Sequence, residues 1–351
     1  MKGFIAVAMS GGVDSSVAAL ILKEKGFDVF GMTAAFMRPC QAGGSGVRAV
    51  RDAAGVCKQL AIPHIAVDLS AEFKQAVITP FVEEYLSART PNPCVCCNAR
   101  MKFGLLRARA RSLGARFFAT GHYCRVVRRG KMLQLVKAKD KGKDQSYFLY
   151  RLTQPQLTRT LFPLGAYSKE QVRRMARDHR LPVAHKPDSQ EICFLHDADY
   201  RVFIKRQMTG AVQPGQIVDS RGKVLGMHRG VAYYTIGQRQ GLGLALGYPV
   251  FVTAIDLRTN SIVVGTRVQA CSKEFIVRQV CWAVKAPHKK IAAKVRIRYN
   301  HREAKACVVP AGRKARVVFN QPQFAVTPGQ SAVFYDRDRV LGGGIIERVA
   351  G

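Results

Sequence analysis

Residues 4–9, FIAVAM, form an unbroken apolar run that predicts a parallel strand buried on both faces. Beyond two glycines, Val13, Val17, Leu20 and Ile21 recur at helical spacing, and Gly26 supplies a stop. The pattern then predicts a strand over 28–35, a helix over about 48–60, a strand within 62–68 and a helix across 72–87. TPNPCVCCN reads as a loop, followed by a helix from about 99 to 113 and the strand FFATGHY. Strands alternating with helices indicate an α/β fold with a parallel sheet. SKEQVRRMARDHRL predicts a further helix, with Ser168 and Gln171 spaced as a capping box.

After about residue 208 the pattern changes. Glycines multiply and the strand-like runs become short, as in QIVDSRGKVLG and FVTAIDLRTNSIVVG. From about 270, IAAKVRIRYN, KACVVP, RKARVVFN and SAVFYDRDRVLGGGII read as antiparallel strands of a small barrel. In 291–299, Ile291, Ala293, Val295, Ile297 and Tyr299 alternate with Ala292, Lys294, Arg296 and Arg298, an apolar inner face against a mostly cationic outer one. Three domains are expected: 1–208, a small β-rich domain over 209–268, and a barrel over 269–351.

Charge alters this otherwise ordinary picture. Lys+Arg 56 against Asp+Glu 23 gives a net charge of +33. The excess is spread along folded segments; 271–351 alone carries 16 Lys/Arg against 5 Asp/Glu. Nucleic acid is the first partner such a surface implies, with an anionic membrane surface as the alternative. The N-terminal apolar run flows straight into a glycine turn, unlike a signal peptide, and no segment is apolar enough to span a membrane, so a cytoplasmic protein is expected. There, ten cysteines are reduced, catalytic or metal-binding rather than a disulfide framework.

The order strand, glycine turn, helix start is the geometry of an anion site. In the stretch Ala8, Met9, Ser10, Gly11, Gly12, Val13, Asp14, Ser15, the glycines let phosphate oxygens approach, and the helix start offers free N–H groups and its positive dipole end. The serines add hydroxyl donors. Asp14 would repel a bare phosphate and suits Mg²⁺ bridging phosphate oxygens. No lysine sits at the turn, so the common GxxxxGK[ST] loop is absent, as is GxGxxG. S-G-G-V-D-S-S resembles the PP-loop of enzymes that cleave ATP between the α and β phosphates.

Two thiol segments stand out. RTPNPCVCCNARMKFG carries Cys94, Cys96 and Cys97 in a proline-rich context, and HKPDSQEICFL places Cys193 after a polar turn. One thiol could carry sulfur as a persulfide while a second releases it and ends as a disulfide. Cys94-Val95-Cys96-Cys97 also holds C-x-x-C, half of a zinc or iron–sulfur site, with no second C-x-x-C in the chain. Cys57, Cys271, Cys281 and Cys307 read as small buried hydrophobes.

The motifs SGGVDSS, TPNPCVCCNARMKF, ATGHY, GKDQSYFLY, FPLG, PDSQEICF and YTIGQRQGLG together resemble the tRNA-uridine 2-sulfurtransferase family, in family order from about residue 4 to 265. The resemblance implies adenylation of the C2 oxygen of the wobble uridine in tRNAs for Lys, Glu and Gln, then displacement of AMP by a persulfide to give 2-thiouridine. It also implies a sulfur-donor protein as partner. Cys97 matches the nucleophile that liberates sulfur and Cys193 the persulfide carrier. Gly121 and the 8–15 loop match ATP contacts. Asn92, Pro93, Cys94, His122, Lys143, Asp144, Gln145, Arg298, Tyr299 and Gln330 match tRNA contacts. Cys94 stands where many members have aspartate, and Ala34 where the family often has methionine beside the nucleotide. An iron–sulfur cluster on Cys94, Cys97 and Cys193 is a secondary option. A PP-loop amidotransferase or ligase, or an RNA-binding module with a vestigial nucleotide site, are the rival readings.

Overall fold

The computed structural model describes residues 4–37, 45–188, 192–195, 199–207 and 212–349. The chain divides into two compact units, one of Met1–Ile78, Pro93–His196 and Asp338–Val340, the other of Thr79–Asn92, Asp197–Arg337 and Leu341–Gly351. The boundary expected at 208/209 lies outside the described residues.

The elements follow in chain order as β1 (Ile5–Ala8), α1 (Val13–Glu24), β2 (Val29–Ala35), α2 (Ser45–Gln59), β3 (His64–Asp68) and α3 (Ser70–Phe73). A π-helical turn, Lys74–Ile78, leads to α4 (Thr79–Leu86), which belongs to the second unit. Then come α5 (Pro93–Cys96), a π-helix over Cys97–Leu106, α6 (Arg107–Ser112), β4 (Phe117–Thr120), a hairpin of β5 (Cys124–Arg129) and β6 (Met132–Lys137), α7 (Gln154–Thr158), β7 (Thr160–Leu161) and α8 (Lys169–Asp178).

The first unit is built on a parallel sheet of order β3-β2-β1-β4-β7. Ile5, Ala6 and Val7 are wholly buried, which is why this strand needs no polar alternation. Val13, Val17, Leu20 and Ile21 of α1 pack into the same core. The chain builds outward from β1 through β2 to β3, then returns to the other side of β1 as β4. The crevice beyond the carboxyl ends of β1 and β4 is therefore the topological switch point where such sheets take ligands. The capping box forms at α8: Ser168 Oγ accepts from Gln171 N–H at 3.2 Å and Gln171 Oε1 accepts from Ser168 N–H at 2.8 Å.

Two expectations are corrected here. TPNPCVCCN is not all loop, because the helix begins at Pro93; proline suits a first helical turn, where its missing N–H has no partner to lose. FFATGHY stops being strand at Thr120, leaving Gly121, His122 and Tyr123 in the crevice loop.

In the second unit, after α9 (Tyr200–Gln207), β8 (Gly215–Val218), β9 (Val224–His228), β10 (Phe251–Asp256) and β11 (Ser261–Gly265) form a four-stranded sheet of order β10-β11-β8-β9. Next are β12 (Cys271–Trp282), β13 (Ile291–Arg296), β14 (Ala304–Ala311), β15 (Lys314–Phe324), β16 (Ser331–Asp336) and β17 (Arg339–Val349). They run β12-β15-β14-β13-β16-β17, and β12 pairs again with β17, so six strands close into a barrel. Phe275, Val295, Val308, Val317 and Phe334 fill it. Ala293, Val295 and Ile297 are buried while Ala292 and Lys294 are exposed, the predicted alternation. Cys271, Cys281 and Cys307, in contrast to expectation, are only half-buried. Cys307 lies between the inward Ala306 and Val308, so the strand period turns it outward. Among the described residues no helix is long and apolar enough to cross a membrane.

Candidate active site

At the end of β1, Met9 is buried and its N–H donates to Met32 O at 2.7 Å, fixing the strand's last step. The chain then turns through Gly11 at φ +69°, where a Cβ would lie 2.6 Å from Ala49 O of α2. Only glycine fits that turn. Gly12 is the extended N-cap of α1 and no side chain caps the helix. Its first amides are left for an anion, reinforced by the dipole. Ser15 Oγ accepts from Ser10 N–H at 3.1 Å, tying the loop to the helix. Ser15 Oγ and Ser16 Oγ both donate to Gly12 O, at 3.2 and 2.9 Å. Ser16 is therefore a helix-start brace, whereas Ser10 is exposed. Ala8 ends β1 and Ala34 stands one residue before the end of β2, both half-buried, and Val13 is buried in the core.

Gly121 closes against this turn. A Cβ there would stand 2.7 Å from Asp14 C and from Ser15 N, so the crevice loop and the start of α1 touch backbone to backbone. Tyr123, two residues on, donates its hydroxyl to Asp14 Oδ1 at 2.8 Å. Burial, then the Asp14 charge, push that phenol well above its ordinary range.

The lysine missing from the turn arrives from elsewhere in the unit. Lys169, first residue of α8, donates to Asp14 Oδ1 at 2.7 Å and lies 2.8 Å from Asp188 Oδ1. Lys186 donates to Gly11 O at 2.9 Å and to Asp52 Oδ2 at 2.7 Å. Asp188 also takes Arg173 at 2.6 Å and Lys143 at 2.9 Å. Burial opposes its charge, yet the Lys169 and Lys143 bonds prevail and hold its carboxyl down to about 2. Lys169 and Asp188 were missed in the sequence; Asp188 lies in the PDSQEICF motif, which was the one available signal.

The thiols belong to the same unit. Cys97 is buried at the start of the π-helix, a helix form frequent at functional sites. Burial pushes its thiol up to about 12; Lys102 pulls it down, while Cys193 and Cys94 push it further up. Burial likewise raises Cys94 to about 11, with Cys193 raising and Lys102 lowering it. Cys193 keeps its residue surface open to solvent, and its thiol is still raised by burial against the pull of Lys102. Cys94, Cys97 and Cys193 therefore all lie within electrostatic reach of the Lys102 ammonium. The same cation acts on His122, whose imidazole is held well below its ordinary value by burial first and Lys102 second. His122 Nδ1 pairs with Thr120 Oγ1 at 2.8 Å. Cys96 points elsewhere, donating to Ala76 O at 3.1 Å. Lys102 thus acts on the thiols and on His122, whose chain neighbour Gly121 abuts Asp14, all within the first unit.

The other expected contacts are placed as follows. Asp144 is buried and accepts from Ala138 N–H, Ser146 N–H and Ser146 Oγ at 3.1, 3.2 and 2.8 Å. Gln145 accepts from Tyr123 N–H at 3.0 Å. Pro93 is buried at the start of α5. In the second unit, Arg298 donates to Phe324 O at 3.0 Å and Ala325 O at 3.3 Å. The Arg296 guanidinium stands 5.1 Å from the Tyr299 ring centre. Gln330 donates to Thr90 O at 3.0 Å, bracing the segment that precedes Asn92.

Asp14, a single partly exposed carboxylate at the helix start, fits a magnesium ion held chiefly by phosphate oxygens and water. Among the described residues no three His, Cys, Asp or Glu side chains converge to hold a metal ion, and the nine described cysteines are free.

Family models described as the tRNA methyl transferase HUP domain, PRC-barrel domain and Aminomethyltransferase beta-barrel domain match residues 4–197, 201–266 and 272–346. The tRNA-specific 2-thiouridylase MnmA 2 of Thermoanaerobacter sp. (strain X514) is 47% identical over 355 residues, covering 98% of each chain. MnmA 2 of Clostridium botulinum (strain Hall) is 45% identical over 350 residues, covering 99% of each. MnmA of Moorella thermoacetica is 47% identical over 357 residues, covering 98% of this chain and 99% of that one. With this likeness running the full length of the chain, the protein belongs to the tRNA-specific 2-thiouridylase family.

Proposed function

We propose that this enzyme is a tRNA sulfurtransferase that uses ATP to convert a tRNA uridine to 2-thiouridine. Full-length likeness to relatives named for that activity supports the reading. One observation carries it: Cys97 and Cys193 share the Lys102 cation, beside the crevice loop whose Gly121 abuts Asp14. The thiols, rather than the methyl-transfer label of the family models, match the chemistry.

The free amides of α1 would hold the phosphates of ATP, with Ala8–Ser15, Ala34 and Gly121 around the nucleotide. Asp14 would hold magnesium, which when bound neutralises phosphate charge, and Lys169 would turn from Asp14 toward the phosphates. The uridine C2 oxygen attacks the α-phosphorus and pyrophosphate leaves. The terminal sulfur of a Cys193 persulfide, loaded by a sulfur-donor protein, then bonds C2 and AMP leaves. The Cys97 thiolate attacks Cys193 Sγ, breaking the S–S bond; sulfur stays on the base and a Cys97–Cys193 disulfide remains for an external thiol reductant. The base leaves its stack to reach these buried groups. His122 and Cys94 would contact it, and Asn92, Pro93, Lys143, Asp144, Gln145, Arg298, Tyr299 and Gln330 would act at the tRNA surface, directly or by shaping it. Such an enzyme would work in the cytoplasm. The test supplies ATP, a persulfide source and unmodified tRNA, then analyses nucleosides. Formation of 2-thiouridine is expected; its absence under conditions where the tRNA binds overturns the reading.

A further inference from the structure

A cavity of about 480 Å³ opens in the first unit at the end of the parallel sheet opposite the glycine turn. Phe117 begins β4 and pairs with Ile5, the first residue of β1, so the cavity and the anion turn lie at opposite strand ends. Arg107, Arg111, Arg116 and Arg159 line it, with Ala110 and Phe118 among its apolar parts. Three separate elements deliver these arginines: α6, the turn before β4, and the turn before β7.

The lining contains no Asp or Glu. Some guanidiniums elsewhere are paired with carboxylates: Arg89 and Arg278 share Glu84, and Arg173 takes Asp188. Arg107 is half-buried, and its guanidinium is depressed by burial and then by Arg111, a like-charge crowding that an anion would relieve. Helix-dipole stabilisation accounts for Arg111 in the last turn of α6 but not for Arg116 or Arg159, which lie outside that helix. Planar forks of this kind suit phosphate oxygens.

We propose that this four-arginine cavity is a second anion site, separate from the nucleotide turn, that takes consecutive phosphodiesters of an RNA strand. The proposal rests on the tRNA reading above and extends it to a surface at the far end of the sheet. Contacts to the backbone there fix how the RNA lies without reading its bases.

The test compares Arg111→Gln/Arg159→Gln with Arg221→Gln/Arg258→Gln, a charge-matched pair of exposed arginines in the other unit. Unmodified tRNA affinity is measured across salt, with ATP affinity and 2-thiouridine formation alongside. The cavity pair should lose about 10-fold in tRNA affinity near physiological salt, and its log K against log salt should be shallower by about 1.5, as two fewer phosphates require. The control pair should change less than about 2-fold, and ATP affinity should not move. Equal losses in the two pairs overturn the proposal. So does unchanged tRNA binding with lost binding of free AMP or inorganic pyrophosphate, which would assign the cavity to a small ligand. A wild type that binds tRNA with this cavity-dependent slope yet forms no 2-thiouridine contradicts the thiolase reading alone.

Discussion

The Lys169 ammonium stands 2.7 Å from Asp14 Oδ1, joining residues 155 positions apart in the chain. The glycine turn lacks its own lysine, and the start of α8 supplies one. The same ammonium bonds Asp188, which enters the segment that leads to Cys193. Charge at the glycine turn and Asp188 of the PDSQEICF motif are therefore tied through one side chain.

Replacing Lys169 by Met should lower tRNA-dependent pyrophosphate release by about 10- to 100-fold, the scale of losing a charge-assisted hydrogen bond of about 1.5–3 kcal/mol. Lys169→Arg should recover part of it. Asp188 keeps Arg173 and Lys143, so the fold should survive. Steady-state kinetics in ATP with circular dichroism checks this, and an unchanged kcat/KM would remove Lys169 from the site.

Gly121→Ala forces a methyl group to 2.7 Å from the Asp14–Ser15 backbone. Overpacking of this kind costs about 1–3 kcal/mol. The variant should melt several degrees lower and bind ATP more weakly, while tRNA affinity holds. Differential scanning fluorimetry and ATP titration read both effects.

How much of this was legible in the sequence depends on range. Ile5–Ala8, α1 and the α8 capping box follow from neighbours within a few positions, so pattern reading found them. Lys169 meets Asp14 and Asp188, and Lys186 meets Gly11, only through tertiary packing, and no local spacing encodes a contact across 175 residues such as Lys186 to Gly11. The Pro93 helix start was hidden because proline and asparagine mark loops as well as first turns. Cys307 was misread because a cysteine in an apolar run says nothing of which strand face it takes. The partnership of Cys97 and Cys193 came from family likeness, since their segments are remote in sequence.

The thiols should be sluggish near neutrality. Burial lifts Cys97 to about 12 from an ordinary 9.0, so its alkylation by iodoacetamide should accelerate well above pH 9. Lys102 favours the thiolate, and Lys102→Gln should slow labelling of Cys94, Cys97 and Cys193 at any pH below that range. Peptide mapping by mass spectrometry resolves each site; faster labelling in the variant contradicts the arrangement.

Acid should destabilise the fold before its carboxylates titrate. Burial lowers His64, His122 and His228, and lowers His301 from 6.5 to about 4, with Arg298 adding to the effect. A folded-state value below the unfolded one favours the native state while the ring is neutral. That contribution is complete above about pH 6.5 and is lost as pH falls toward 4. Melting temperature should drop across that window, and His301→Gln should flatten part of the drop. A melting temperature constant from pH 7 to 4 would contradict the burial of these rings.

The most direct measurement separates the two half-reactions in Cys97→Ser and Cys193→Ser. With ATP, unmodified tRNA and a persulfide source, both variants should still release pyrophosphate in a tRNA-dependent manner and yield no 2-thiouridine, while the wild type does both. Either serine variant forming 2-thiouridine at the wild-type rate would contradict sulfur transfer through this pair.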